Sequence, residues 1–405
     1  MLAAMQHNMK LLSQHTLNGH GGMGEGMSLQ LAGGGRRVLW LAHESAPKNF
    51  TGVDVTDPRT PRVVVQTDLP HRAMRSNSLE VCGDIMAVAY QVAVPGAKPA
   101  GFELFDISQP ERPRSIAFFD ASGPHSRGCH VLWFVDGKTV HMACADPELK
   151  PRDAKDDQIY RIVDVSNPAK PRALGRWHLP GTMEGDDAPP PKRLPARFDA
   201  GFRAHNTNVY PERPDRCYLG YLDGGMMVLD IADPGAPKLV SRWSNSPPYN
   251  GFTHTVLPLF GRELLVVTDE SILNDGADWP KLVWLLDARD EKNLVSIGTL
   301  PVSGVKPLLH NGGRCGAHNV HENRPGEGTW RSEDIVLGTF FNAGVRAYDV
   351  RDPFAPREIG YFVPPTPEGS PVATAQINDV FVDDRGIVFA VDRHAGGLYA
   401  LEMTV

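Results

Sequence analysis

No apolar run in the 405-residue chain approaches 18 residues, so no segment is suited to cross a bilayer as a helix. The first residues, Met1 to Leu17, lack a basic start, an apolar block and a small-residue cleavage site, so no secretory leader is expected. Cysteine is scarce. Cys82, Cys129, Cys144, Cys217 and Cys315 are odd in number and form no CxxC pair, which suits reduced thiols and a cytoplasmic location. Positive charge is in deficit: 41 Lys+Arg against 48 Asp+Glu give −7, and no basic run offsets this locally. Nucleic acid and anionic membrane are therefore not expected partners. GxxxxGK[ST], GxSxG and HExxH are all missing. Gly19-His20-Gly21-Gly22-Met23-Gly24 fits GxGxxG by letters but has no strand before it and no helix after it.

Glycine (40) and proline (35) are abundant, which makes the chain dense in turns and argues against long helical bundles. At 41% hydrophobic and 22% charged residues, a large core is expected and global disorder is not. One box recurs: an apolar strand ending in Asp, an apolar residue, a polar pair, then Pro-x-x-Pro-Arg/Lys. Its Asp stands at 54, 106, 164, 230, 287 and 349, with gaps of 52, 58, 66, 57 and 62 residues. A seventh strand, Gly397 to Leu401, arrives about one period later. Asp or Asn before Pro starts a turn, so the box reads as a strand connector. Each period holds four short strand-like runs; in the sixth they are Ala317–Glu322, Asp334–Thr339, Gly344–Val350 and Arg357–Phe362. Four strands per unit at this period predict an all-β, seven-bladed β-propeller in one domain, 1–405. The blades fall roughly at 26–68, 77–119, 130–179, 205–244, 254–300, 318–363 and 378–405. The last lacks a fourth strand, which Met9 to Gln14 is expected to supply, closing the ring and leaving no edge open.

The strand-plus-box pattern, as in Tyr160-Arg161-Ile162-Val163-Asp164-Val165, resembles the LVIVD-repeat β-propeller proteins. The resemblance covers nearly the whole chain and implies a fold, with no particular reaction.

Aligning the innermost strand of each unit puts His130, His205, His254 and His318 at one position of four successive units, with Asn77 and Asn378 in two others and Met27 in the first. Innermost strands surround the channel, so the four imidazoles are expected to converge on the axis as ligands for a divalent transition metal, Fe(II) first, with Cu, Mn or Zn as alternatives. Channel histidines that bond only water, copied by duplication, are the competing explanation; the repeats differ widely elsewhere, which weakens it. In its architecture the four-His arrangement is similar to the carotenoid-cleavage oxygenases, and also to the selenium-binding/methanethiol oxidase group, although neither family's sequence motifs are found.

Loops between second and third strands should open on the same face. They bring His43, Glu270, Asp269 and His394 as candidate acid–base or orienting groups. Arg127, Arg203 and Arg314, just ahead of His-bearing strands, are candidates to hold an anionic group, and Asn77 and Asn378 to contact substrate. The long loops 146–157 and 182–203 rise from that face as possible lids or as plain surface excursions. The expected activity is that of a metal-dependent oxidoreductase or oxygenase on a small organic substrate. A metal-dependent hydrolase or lyase is the alternative within enzymes, and a non-catalytic binding scaffold the alternative outside them.

Overall fold

The computed structural model describes residues 4–404. Seven antiparallel sheets follow one another along the chain as blades. Blade one is Met23–Ala32, Arg36–His43, Lys48–Asp54 and Arg62–Asp68. Blade three is Cys129–Trp133, Thr139–Cys144, Ile159–Asp164 and Arg172–Trp177, and blade five Thr253–Leu259, Leu264–Asp269, Val283–Asp287 and Val295–Thr299. The helical segments among the described residues are short 3₁₀ turns such as Ala154–Asp156. None is long and apolar enough to cross a membrane.

The box is a turn with a side-chain lock. Its Asp accepts the N–H two residues on in all six copies: Asp54 from Thr56, Asp106 from Ser108, Asp164 from Ser166, Asp230 from Ala232, Asp287 from Arg289 and Asp349 from Arg351, at 2.9–3.1 Å. In four copies the closing arginine returns to that carboxylate: Arg62 to Asp54, Arg114 to Asp106, Arg172 to Asp164 and Arg357 to Asp349. Just before the Asp the third and fourth strands slip register, as at Leu104/Phe105, Ile162/Val163 and Val228/Leu229. Such a bulge raises the local twist, which each blade needs as it runs outward.

The ring closes as the sequence predicts. Met9–His15 pairs antiparallel with Leu398–Met403, Met9 opposite Met403 and His15 opposite Leu398. Met9 is buried there against Leu337, Val388 and Leu401. The segment before it goes further than the sequence suggests: Met5–His7 adds to the outer edge of blade six, Met5 opposite Val363. The two neighbouring blades are thus stitched by one continuous stretch of chain.

The innermost strands are less regular than expected. Ala317–Glu322 was read as a full strand, yet it forms a single bridge, Val320 to Gly338. His318 N–H still donates to Thr339 O, and His321 N–H to Leu337 O, so the segment lies along the blade and keeps its register. At the far end of the axis Arg324 closes the channel. Its guanidinium reaches Glu80, Glu322 and the carbonyl of Met27, and lies over the Trp133 ring.

Candidate metal centre

The four histidines meet at the axis. His130 Nε2 lies 2.9 Å from His205 Nε2. The ring centroids of His205 and His254 are 3.9 Å apart, and those of His254 and His318 4.5 Å. All four side chains are buried.

At their centre stands a residue that the alignment passed over. Glu25 is buried, with its carboxylate 3.7 Å from His205 Nε2, 3.4 Å from His254 Nε2 and 3.5 Å from His318 Nε2. Its neighbours explain how it gets there. Blade one slips register between Met23 and Met27, and the bulged Gly24-Glu25-Gly26 lies against the innermost segment of blade two. Glu25 N–H donates to Asn77 O at 2.7 Å. A Cβ on Gly24 would lie 2.3 Å from Asn77 O and one on Gly26 2.2 Å from Leu79 N, so glycine is required on both sides. The legible signal was a carboxylate held between glycines at the start of the only first strand lacking His or Asn.

The outer nitrogens are all committed. His318 Nδ1 lies 2.5 Å from the carbonyl of Asn378. His205 Nδ1 lies 2.9 Å from Asn206 Oδ1, whose amide nitrogen donates to Glu322. His254 Nδ1 meets Thr255 Oγ1 at 2.7 Å, and that hydroxyl passes its proton to Asn319 Oδ1. His130 Nδ1 meets Gln91 Oε1 at 3.0 Å, an oxygen that also accepts from Arg75 Nε. The Nδ1 atoms of His205, His254 and His318 therefore face acceptors and carry a proton, while that of His130 lies between the Gln91 oxygen and an Arg75 N–H. With Nδ1 as donor, Nε2 is the nitrogen that the rings of His205, His254 and His318 turn to the axis, the arrangement that metal ligation uses.

The His130 and His205 Nε2 atoms, 2.9 Å apart, must share either a proton or a cation. Two ligands at about 2.1 Å from one ion are separated by about 3 Å at right angles and about 3.4 Å in a tetrahedron. The spacings of 2.9, 3.4 and 3.5 Å match this range. His254 Nε2, His318 Nε2 and Glu25 Oε2 are buried and have no hydrogen-bond partner, which is costly unless a ligand completes them. Three sets each bring one donor atom per residue within 4.8 Å: Glu25 with His254 and His318, Glu25 with His130 and His205, and His205 with His254 and Glu270.

Electrostatics suit a cation. Burial, together with the neighbouring His254, pushes the His205 imidazole down to about 3. Burial, His205 and Arg75 push His130 well below its ordinary range. These rings stay neutral. Burial raises the Glu25 carboxyl, and positive charge on or between the imidazoles of His205, His254 and His318 is what brings it well below its ordinary range. Glu270 is likewise driven up by burial, and His318, Arg314 and His254 bring it down to about 2.

The remaining expected residues divide. Glu270 reaches the cluster, 3.7 Å from His318 Nε2 and 3.9 Å from His254 Nε2, held by Arg314 at 2.6 Å. Asp269 does not, and the expected carboxylate pair is corrected to a single carboxylate. Successive side chains diverge at the strand end, and Asp269 turns inside blade five to accept from Trp284 Nε1 and Asn245 Nδ2. His43 is also corrected: its ring is buried against Thr51 Oγ1 at 2.8 Å and serves its own blade. His394 sits half-buried on the flank, in a recess shared with His20, Lys48 and Arg393. Asn378 braces the centre: its carbonyl takes His318, and its amide donates to Met23 O and Gly24 O. Asn77 is buried with neither polar atom of its side chain partnered.

Arg127 forks onto Asp157 at 2.7 and 2.8 Å, and Arg203 stands 3.8 Å from the same carboxylate. Two arginines that the sequence did not single out join them. Arg75 bonds Glu44 and lies 3.3 Å from His130 Nδ1, and Arg393 bonds Glu44 and Asn378. The long loops are tied to each other. Arg193 bridges Asp156 and Asp199, and Asp223 accepts from the N–H groups of Ala200 and Gly201. They form a packed wall beside the mouth.

A family model described as LVIVD repeat matches residues 155–178 and 217–244. No curated protein matches the chain. Among solved structures, the β-propeller domain of Myceliophteria thermophila Cps50 (Swd1) superimposes with a TM-score of 0.54 at 14% identity, over 97% of this chain and 99% of that one. At that identity the likeness speaks for the fold alone. The chain is a seven-bladed β-propeller in which residues 155–178 and 217–244 match the LVIVD repeat.

Proposed function

We propose that this propeller is a metal-dependent enzyme whose single reaction centre lies on its axis, with His130, His205, His254, His318 and Glu25 as ligands and an oxidoreductase or oxygenase reaction on a small organic substrate. The observation that carries this reading is the convergence of four imidazoles on one buried carboxylate, with the Nδ1 atoms of His205, His254 and His318 tied to acceptors and their Nε2 atoms turned to Glu25. Fe(II) comes first among the metals. All three donor sets are two imidazoles and one carboxylate, a set that suits non-haem iron with positions left open. Cu, Mn and Zn have lower claims on the same donors. Such a metal supplies a site where substrate or oxygen is bound and activated. The protein's own residues keep His130 and His205 neutral and place the unpartnered Asn77 next to Glu25.

Hydrolysis or elimination would need a basic group beside the ligands. Glu270 has the position, but its carboxylate is tied to Arg314 at 2.6 Å, which makes it a poor proton acceptor and favours redox chemistry. We further propose a cytoplasmic location, since the five cysteines are unpaired and four are buried.

The test is metal content of untagged protein by mass spectrometry, alongside His205→Ala and His254→Ala. The reading expects about one Fe, Cu, Mn or Zn per chain, lost in both variants with the fold kept. No metal after reconstitution under reducing conditions overturns it in favour of a binding scaffold.

A further inference from the structure

Arginines ring the open end of the axis. Arg75 comes from blade two, Arg127 and Arg203 from the lead-ins to blades three and four, Arg314 from the lead-in to blade six and Arg393 from blade seven. They share three carboxylates: Arg75 and Arg393 share Glu44, Arg127 and Arg203 share Asp157, and Arg314 has Glu270. Five cations thus share three carboxylates, with Glu25 a further carboxylate on the axis behind them. The chain as a whole is acidic, at −7, so this concentration of cations is local.

Pairing is also incomplete where it exists. Asp157 already gives both oxygens to Arg127, so Arg203 is left at 3.8 Å from its nearest acid, and its Nε is buried with no partner. A half-buried guanidinium in that position is stabilised by an incoming anion. The side chains of Arg75, Arg127, Arg203, Arg314 and Arg393 are 30%, 26%, 20%, 21% and 16% exposed, so each is reachable from solvent while part-desolvated. The ring is also in contact with the centre: Arg75 lies 3.3 Å from His130 Nδ1, and Arg314 holds the Glu270 carboxylate that faces His254 and His318.

We propose that the substrate carries a small oxyanionic group, received at the mouth by Arg203, Arg127 and Arg75, with the reacting part of the molecule directed down the axis toward Asn77 and the histidines. Planar forks take carboxylate and phosphate oxygens in pairs, so the recognised chemistry is a compact oxyanion. This rests on the axial centre as the place of reaction, though the binding itself needs no metal.

The experiment is calorimetric titration of the full chain, metal-free and metal-loaded, with succinate and separately with inorganic phosphate, with metal content read on the same samples. Saturable binding of at least one probe to both forms, weakened at least tenfold in Arg203→Gln with metal content unchanged, is the expected result. Arg203→Lys keeps the charge without the fork and should fall between. Which probe binds more tightly separates a dicarboxylate from a phosphate substrate. Absence of binding by either probe to protein holding about one metal per chain overturns the anion site and leaves the metal centre standing. Binding that Arg203→Gln leaves unchanged overturns it as well. Binding retained in protein that takes up no metal supports the anion site while the reading of the axial centre fails.

Discussion

His318 Nδ1 lies 2.5 Å from the backbone carbonyl of Asn378, on the neighbouring blade. A carbonyl only accepts, so the ring must donate there and its other nitrogen is left bare toward Glu25. The partner is main chain, so blade packing itself sets this tautomer and no single side-chain change can alter it.

His254 differs, because its Nδ1 is oriented through the Thr255 hydroxyl and Asn319. Thr255→Val keeps the shape and removes the acceptor. Metal affinity should fall roughly 10–100-fold, as for other outer partners of ligating imidazoles. Competition with a chelator reads this directly, and an unchanged affinity would mean that His254 is not a ligand.

Glu25→Gln removes the central charge at nearly constant volume. Loss of metal beyond the roughly 10–100-fold of an outer partner is expected, with the circular dichroism of the β-sheets unchanged. Full metal retention in this variant would leave a site of imidazoles alone.

Gly26→Ala tests how Glu25 is delivered. The added methyl would sit 2.2 Å from Leu79 N, so the bulge must move away from blade two. Destabilisation of ~1–3 kcal/mol is expected, together with weakened metal binding. Alanine at the exposed Gly33, where nothing lies within 4 Å, should leave metal binding unchanged.

Asp269 gives a pH-dependent prediction. Burial raises its carboxyl from an ordinary 3.8 to about 6, against the pull of Lys281 and of the Trp284 and Asn245 hydrogen bonds. The folded protein thus keeps a proton that the unfolded chain releases. Its stabilising contribution is complete below about pH 4 and is lost as pH rises through about 6, a change on the order of 2–3 kcal/mol. Asp269→Asn removes that slope. In urea unfolding, the variant should gain on the wild-type chain between pH 4 and 7 and run parallel to it above. A constant difference over that range would contradict the burial argument.

The ring of blades and the histidine register were legible because each repeat copies the same inner-strand position, and strand alternation then points the copies at one axis. Asn77 and Asn378 were found by the same copying. Glu25 was hidden because the Gly24–Gly26 bulge shifts blade one, so that alignment on its apolar residues puts Met27 where the ligand belongs. Asp269 and Glu270 could not be told apart in sequence, since their opposite directions are settled only where the strand ends. Arg75 and Arg393 stayed unseen because what joins them is Glu44, a residue of a third blade.

The stitch between Met9–His15 and Leu398–Met403 also sets a timetable. During synthesis the first of these strands leaves the ribosome nearly the whole chain length before its partner. At ~5–20 residues per second that is a wait of roughly 20–80 s. Throughout it Met9 and the apolar side chains beside it have no sheet to join, and blade seven has no outer strand. The newborn propeller is therefore an open arc with two complementary sticky ends, exposed to chaperones and to strand exchange with a second nascent copy. Vectorial folding can assemble its middle blades early, but it cannot finish the ring.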